Sequence, residues 1–213
     1  MSEPNPDNGR TWRGQTIEQR QAERREKLIE AGLELFGTRG YANTPVKAIC
    51  EEAGLTERYF YEAFEDREAL LDEIFTMSLA ACRKATIDAI RNSDDDLETS
   101  MRAGLTAFAH ELTRDPRRAR IQEIEVVGAS PALEAKRRES IHAFAKIVAD
   151  RTRELGGQDR KGPLRLDVIA LGLVGSVNEQ LIDYVTGSLE ISLEDLIENQ
   201  MAAFSAVASK LLG

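Results

Sequence analysis

Two cysteines, two histidines and one tryptophan in 213 residues leave little from which to build a disulfide frame or a metal site. Cys50 and Cys82 fall within helical patterns and lack a CxxC neighbour, so both are expected as small buried hydrophobes. His110 and His142 have no zinc-site spacing, and neither is near a plausible Ser or Cys nucleophile in sequence. No metal, cofactor or catalytic constellation is therefore implied, and an enzyme is not expected. No apolar run approaches the ~20 residues of a membrane helix, and the opening MSEPNPDNGRTWRG holds no apolar stretch before a cleavage site. The expectation is a cytoplasmic protein with no membrane partner. Positive charge is also scarce overall: 28 Lys and Arg against 37 Asp and Glu give a net charge of −9, which argues against non-specific coating of nucleic acid. What is present, 42% hydrophobic and 31% charged residues, is the balance of a chain that folds around a core.

No segment alternates polar and apolar residues as a half-buried strand would, and the predicted fold class is all-α. A first helix is expected over 17–38, with Leu28, Ile29, Gly32, Leu35 and Phe36 on one stripe and Gly40 at its end. Thr44 and Pro45 read as an N-cap followed by proline at the first helical position. Gly54 ends a short second helix, Thr56 opens a third, and Asp66 caps a fourth that reaches about Arg91. Further helices are predicted over 96–114, 116–127, 131–155, 164–186 and 192–212. Asp115-Pro116 and Ser130-Pro131 supply starts, and Gly128, Gly156 and Gly187 supply ends. Residues 1–14 read as a disordered tail, 15–65 as a helix-turn-helix unit and 66–213 as a second helical part.

Between Arg10 and Lys27 six basic residues face three acidic ones, a modest basic arm that an ordinary solvated helix face would also explain. More specific is Thr44 to Leu71. Two short helices joined at Gly54 need a small residue where they cross, which Ala48 provides, while Ile49, Leu55 and Phe60 are placed to lock them together. In such a helix-turn-helix the second helix enters the major groove. Winding 100° per residue buries Phe60, Ala63 and Phe64 and turns Arg58, Tyr59, Tyr61 and Glu62 outward. Arg58 can donate twice to guanine and Glu62 can accept from cytosine, and the tyrosines can reach phosphates or thymine methyls. Alternatively Arg58 and Glu62, four apart, pair with each other.

The stretches AGLELFGTRGYANT, AICEEAGLT, YFYEAF and REALL resemble, in order and spacing over about 50 residues, the DNA-binding domain of TetR-family regulators. The resemblance implies that Thr44, Thr56, Tyr61 and Arg67 contact the DNA backbone and that Arg58 and Tyr59 read bases; Lys47 is a further candidate DNA-binding residue. Glu57, Arg58, Glu62 and Ala63 depart from the residues many members carry, so the operator is expected to differ from the commonest ones.

The second part matches the family only in length and helical character. Its segment Leu164 to Val185 is apolar nearly all round in its first half and must be covered on two sides. Gly172, Gly175, Ser176 and Glu179 form a stripe that permits close helix approach, and Ile197, Met201 and Phe204 give the last helix a wide apolar face. These residues are the expected homodimer interface, by resemblance a four-helix contact; a purely intramolecular core is the alternative. Ligand pockets are mostly apolar with a few polar anchors, and the inward candidates are Met101, Phe108, Gln122, His142, Phe144 and Asn178. The expected partners are operator DNA, a second copy of the chain and a small-molecule effector. The function implied is a repressor released from its operator by that effector. The alternative is a regulator without a small ligand, its second part serving dimerisation or protein partners; a helical enzyme or scavenger with a superficial likeness is a third. The expected coupling is a tilt of the fourth helix, transmitted through the chain link Glu65 to Arg67.

Overall fold

The computed structural model describes residues 16–156 and 165–212; the tail assigned to 1–14 lies outside them. All regular structure among the described residues is helical. The elements are α1 (Ile17–Arg39), α2 (Val46–Ala53), α3 (Glu57–Ala63), α4 (Arg67–Arg91), α5 (Leu97–Thr113), α6 (Pro116–Arg120), α7 (Pro131–Gly156), α8 (Leu166–Thr186) and α9 (Leu193–Leu212). A π-helical turn, Ile121–Glu125, continues α6 directly.

Side-chain caps set most of the starts. Thr16 and Gln19 form a reciprocal capping box on α1. Asp66, Asp96 and Asp115 accept from the backbone N–H groups of Ala69, Thr99 and Arg117, and Ser130 Oγ accepts from Leu133 N at 3.2 Å. Gly54 follows α2 at φ 64°, ψ 34°, and its N–H and that of Leu55 return to carbonyls of the last turn. A left-handed residue there lets α3 leave at once in a new direction.

Three expectations need correction. Thr44 does not cap α2: the cap position is Pro45, without a side-chain bond, because the Thr44 hydroxyl points backward and donates to Gly40 O at 2.8 Å. Thr56 occupies the cap position of α3 but makes no side-chain cap bond. The helix expected over 116–127 changes to π geometry after Arg120, with Val126 N donating to Ile121 O. That turn is wedged against α1, α4 and α8, so three consecutive side chains, Ile121, Gln122 and Glu123, are all buried. The last two are polar, and no periodicity in sequence marks them as interior.

The first core joins α1, α2, α3 and the first half of α4 to the π turn. Phe36, Phe60, Phe75, Leu70, Leu71 and Ile121 are fully enclosed in it. Each such side chain contributes ~1.5–3 kcal/mol relative to exposure. A second core, around Cys82, Leu112, Leu181, Leu196 and Met201, ties α4 and α5 to α8 and α9. Burial pushes the Cys82 thiol up to about 12, so it is an inert packing group.

α1 and α6 approach so closely that a Cβ on Gly37 would fall on that of Arg117. Arg117 Nη1 donates to Glu30 at 3.0 Å and Glu34 at 2.9 Å, and Asp115 takes two further bonds from the same guanidinium. Beside it Arg120 Nε donates to Glu125 Oε1 at 2.9 Å, and Glu125 Oε2 accepts from the backbone N of Tyr41 at 2.7 Å. The two parts of the chain therefore meet through a shared core and two ion-pair clusters, and the link at Glu65 to Arg67 is one connection among several.

Candidate nucleic-acid interface and effector cavity

α3 is held by what it buries. Phe60 is fully enclosed and stacks edge-on against Tyr61, with ring centroids 5.4 Å apart. Phe64 lies beneath the guanidinium of Arg25, whose Cζ is 4.3 Å from the ring centre. Arg25 also donates to Ala63 O and pairs with Glu73, so one cation pins α1, α3 and α4 together.

With the phenylalanines inward, the other face of α3 is open. The Arg58 side chain is 82% exposed and Tyr61 is 57% exposed. Arg58 Nε donates to Glu62 Oε1 at 2.9 Å, so the pairing foreseen from their spacing is present in the free protein. An exposed i,i+4 pair of this kind contributes ~0.3–0.5 kcal/mol, little enough for a guanine edge to displace. Tyr59 is half-buried, its ring covered by Arg24 at 3.8 Å. The arginines of the basic arm are thus partly bound to the aromatic face of α3. Sequence spacing gave no sign of this, because the partners come from different helices.

Lys47 is exposed on α2 and pairs loosely with Glu51 at 3.8 Å. Thr56, just before α3, is exposed with its hydroxyl uncommitted. Lys47, Thr56, Arg58 and Tyr61 therefore expose polar groups on α2, α3 and the turn between them, Lys47 and Arg58 held only by exposed i,i+4 pairs.

Thr44 and Arg67 do not fit the backbone-contact role that the resemblance implied. Thr44 is 1% exposed, its hydroxyl spent on Gly40 O. Arg67 Nη1 donates to Thr44 O at 2.6 Å and to Tyr41 O at 3.1 Å, with the Tyr41 ring 4.8 Å from its Cζ. Both residues serve the loop that aims α2. Arg67 is taken by carbonyls far away in sequence and Thr44 by the nearby Gly40 carbonyl.

A cavity of about 120 Å³ lies among α4, α5, α7, α8 and α9. Five of the six ligand candidates line it: Met101, Phe108, Gln122, Phe144 and Asn178. Phe108 and Phe144 form an edge-on pair on its wall, centroids 4.9 Å apart. His142 is the exception, exposed on the outer side of α7. Sequence reading missed Gln200, which is 4% exposed and lines the same cavity. Gln122 is anchored by Ser78 Oγ, which donates to its Oε1 at 3.0 Å, and Gln122 Nε2 donates to Glu123 at 3.3 Å. Burial raises the Glu123 carboxyl to about 7, against the hydrogen bond from Gln122 and the charge of Arg137.

The residues expected at a dimer contact divide. On α8, Gly172 and Gly175 have open space where a Cβ would stand, and Glu179 is exposed. Ser176 donates to Leu173 O. On α9, Ile197 and Met201 are 5% and 2% exposed within their own chain's core, and Met201 and Phe204 line the cavity. Ile197 and Met201 are therefore intramolecular: an apolar stripe in sequence does not say whose core it fills. α8 is the less satisfied helix. It is long and apolar enough, by length and composition, to cross a membrane, yet only 11% of that stretch is buried.

Residues 28–74 match the profile of bacterial regulatory proteins of the tetR family. A Bacillus subtilis HTH-type transcriptional regulator, YerO, is 31% identical over 78 residues, 35% of this chain and 25% of that protein. The chain thus spans about a quarter of that relative's length. The fold extends further. The fatty acid degradation regulator FadR from Bacillus halodurans superposes with a TM-score of 0.73 at 16% identity, over 84% of this chain and 93% of that one. FadR from Bacillus subtilis in complex with stearoyl-CoA gives 0.69 at 17% identity, over 83% and 95%.

Proposed function

We propose that the chain is a regulator of the TetR family, whose profile its residues 28–74 match, and that it represses transcription as a homodimer released by a small-molecule effector. The observation that carries this reading is the open face of α3, where an 82% exposed arginine and a 57% exposed tyrosine stand over a fully buried phenylalanine. Residues 15–65 are the DNA-binding unit and 66–213 the dimerisation and effector unit.

Arg58 reads a guanine and in doing so exchanges Glu62 for the base; Tyr59 and Tyr61 flank it; Lys47 and Thr56 hold phosphates. One helix of seven residues offers too few contacts for a specific site. The uncovered α8, with Gly172 and Gly175 at its centre, supplies the second copy by packing against its symmetry mate. Half-sites then stand one duplex turn or a multiple apart, ~34–36 Å for the simplest case. The protein acts in the cytoplasm, at the nucleoid when bound, with no enzymatic activity.

Effector binding in the cavity is coupled to α3 by two routes. α4 lines the cavity with Leu79, Thr86 and Ile90 and packs its first half under the DNA-binding helices. The π turn touches the cavity with Gln122 and holds the Tyr41 backbone with Glu125. A shift of either moves α2 and α3 together. The second reading, a regulator without a small ligand, is disfavoured by a preformed apolar cavity with open polar groups.

The test is titration of the purified chain onto a palindromic duplex selected from random DNA. Two chains per palindrome are expected, with affinity falling steeply as salt rises. A monomeric complex, or a salt slope near zero, refutes the reading.

A further inference from the structure

Resting on the effector-responsive reading, we infer that the cavity takes an uncharged molecule, an apolar body carrying one carbonyl, amide or hydroxyl head that Asn178 and Gln200 bind.

The absence of charge in the ligand follows from the walls. Among the described residues none that lines the cavity is ionisable, so an ionised ligand would leave its hydration behind and find no counter-ion. Glu123, next to Gln122, meets the same lack of solvation, which is why its carboxyl is pushed up to about 7. A carboxylate or a phosphate-bearing thioester has no cation here to meet.

The head group follows from which polar atoms remain unused. Thr86 donates to Cys82 O and Ser140 to Arg137 O, each back to its own helix. Gln122 is held at both ends by Ser78 and Glu123. Among the described residues the Asn178 amide has no hydrogen-bond partner, and Gln200 uses only its Oε1, with Ser176 at 3.1 Å. Yet among the described residues no polar side-chain atom is both fully buried and unpaired, so these free groups open onto accessible space, and both residues line the cavity. Asn178 offers a donor and an acceptor and Gln200 a donor, which together suit a neutral head that accepts and donates. Phe108, Phe144 and Phe204 with Met101 and Met201 enclose the apolar remainder.

The experiment uses three chain-matched probes, octanamide, octanoate and octylammonium. Each is titrated calorimetrically into the full-length protein, with melting temperature recorded and operator binding followed in parallel. Octanamide is expected to bind at least tenfold more tightly than either charged probe. Asn178→Leu is expected to weaken it about tenfold without lowering the melting temperature of the free protein. Val177→Phe, which fills the cavity, abolishes binding of all three. A charged probe that binds as tightly as octanamide overturns the inference, and so does the absence of binding by all three to a cooperatively melting protein. Failure to bind any DNA would instead sink the regulator reading, with the calorimetry still deciding the chemistry of the cavity.

Discussion

Glu123→Gln is expected to stabilise the protein increasingly as pH rises from 5 to 8. The side chain is 3% exposed in the π turn, and burial lifts its carboxyl from 4.5 to about 7. The Gln122 hydrogen bond and Arg137 oppose that rise, and Glu179 adds to it. Between those two values the unfolded chain has released a proton that the native chain still holds, so stability falls as pH rises. The penalty is absent well below 4.5 and complete above 7, where the gap corresponds to ~3 kcal/mol at ~1.4 kcal/mol per pH unit. Glutamine keeps the shape and an acceptor for Gln122 but carries no charge to desolvate. Urea unfolding of variant and parent at one protein concentration isolates this group from the depressed carboxyls of Asp96, Asp115 and Glu134, which titrate alike in both. The stability difference should grow by ~2 kcal/mol between pH 5 and pH 8. A difference independent of pH, or a variant less stable at pH 8, would refute the desolvation argument.

Arg67→Ala should weaken binding to all DNA sequences about equally and cost ~1–2 kcal/mol. The signature is faster amide exchange over 41–46, since the donors to Tyr41 O and Thr44 O are gone; unchanged exchange there counts against the loop-positioning role. Gly54→Ala should cost only ~1 kcal/mol for its left-handed backbone, because nothing lies within 4 Å of the new Cβ. Gly37→Ala should cost more, ~1–3 kcal/mol, since the Arg117 backbone Cα stands 2.8 Å away. Equal midpoints in urea for the two would contradict this account of α1 against α6. Gly175→Arg, which the isolated chain has room for, should leave helix content unchanged and yield monomers in sedimentation. Persistence of a parental dimer would exclude the α8 interface.

Punctuation was the most legible part of this fold. Asp66, Asp115-Pro116, Ser130-Pro131, Gly54 and Gly187 act through neighbours a few positions away, so their effect is written locally. The helix-turn-helix was legible for the same reason, with Gly54 fixing the bend and 100° winding separating Phe60 from Arg58. The cavity was partly legible, because apolar helices with a few polar inward residues must leave polar groups beside greasy walls. Partners distant in sequence were not. Arg67 looks like a free cation until the carbonyls of Tyr41 and Thr44 fold beside it, and Ile197 and Met201 look equally ready for a partner chain or their own core. The π turn hid behind ordinary helical residues, and its buried Gln122 and Glu123 break the rule that polar side chains face out. Arg24 and Arg25 read as a solvated arm but cover the rings of α3.

The most direct measurement is the base-preference profile obtained by selecting random duplexes with the parent chain and with Arg58→Ala. A twofold-symmetric motif is predicted for the parent. The variant should flatten one position in each half-site, with a loss of ~1–3 kcal/mol on the parental operator and an unaltered melting temperature. An unenriched pool, or identical profiles from both proteins, would contradict the claim that the outward face of α3 reads DNA.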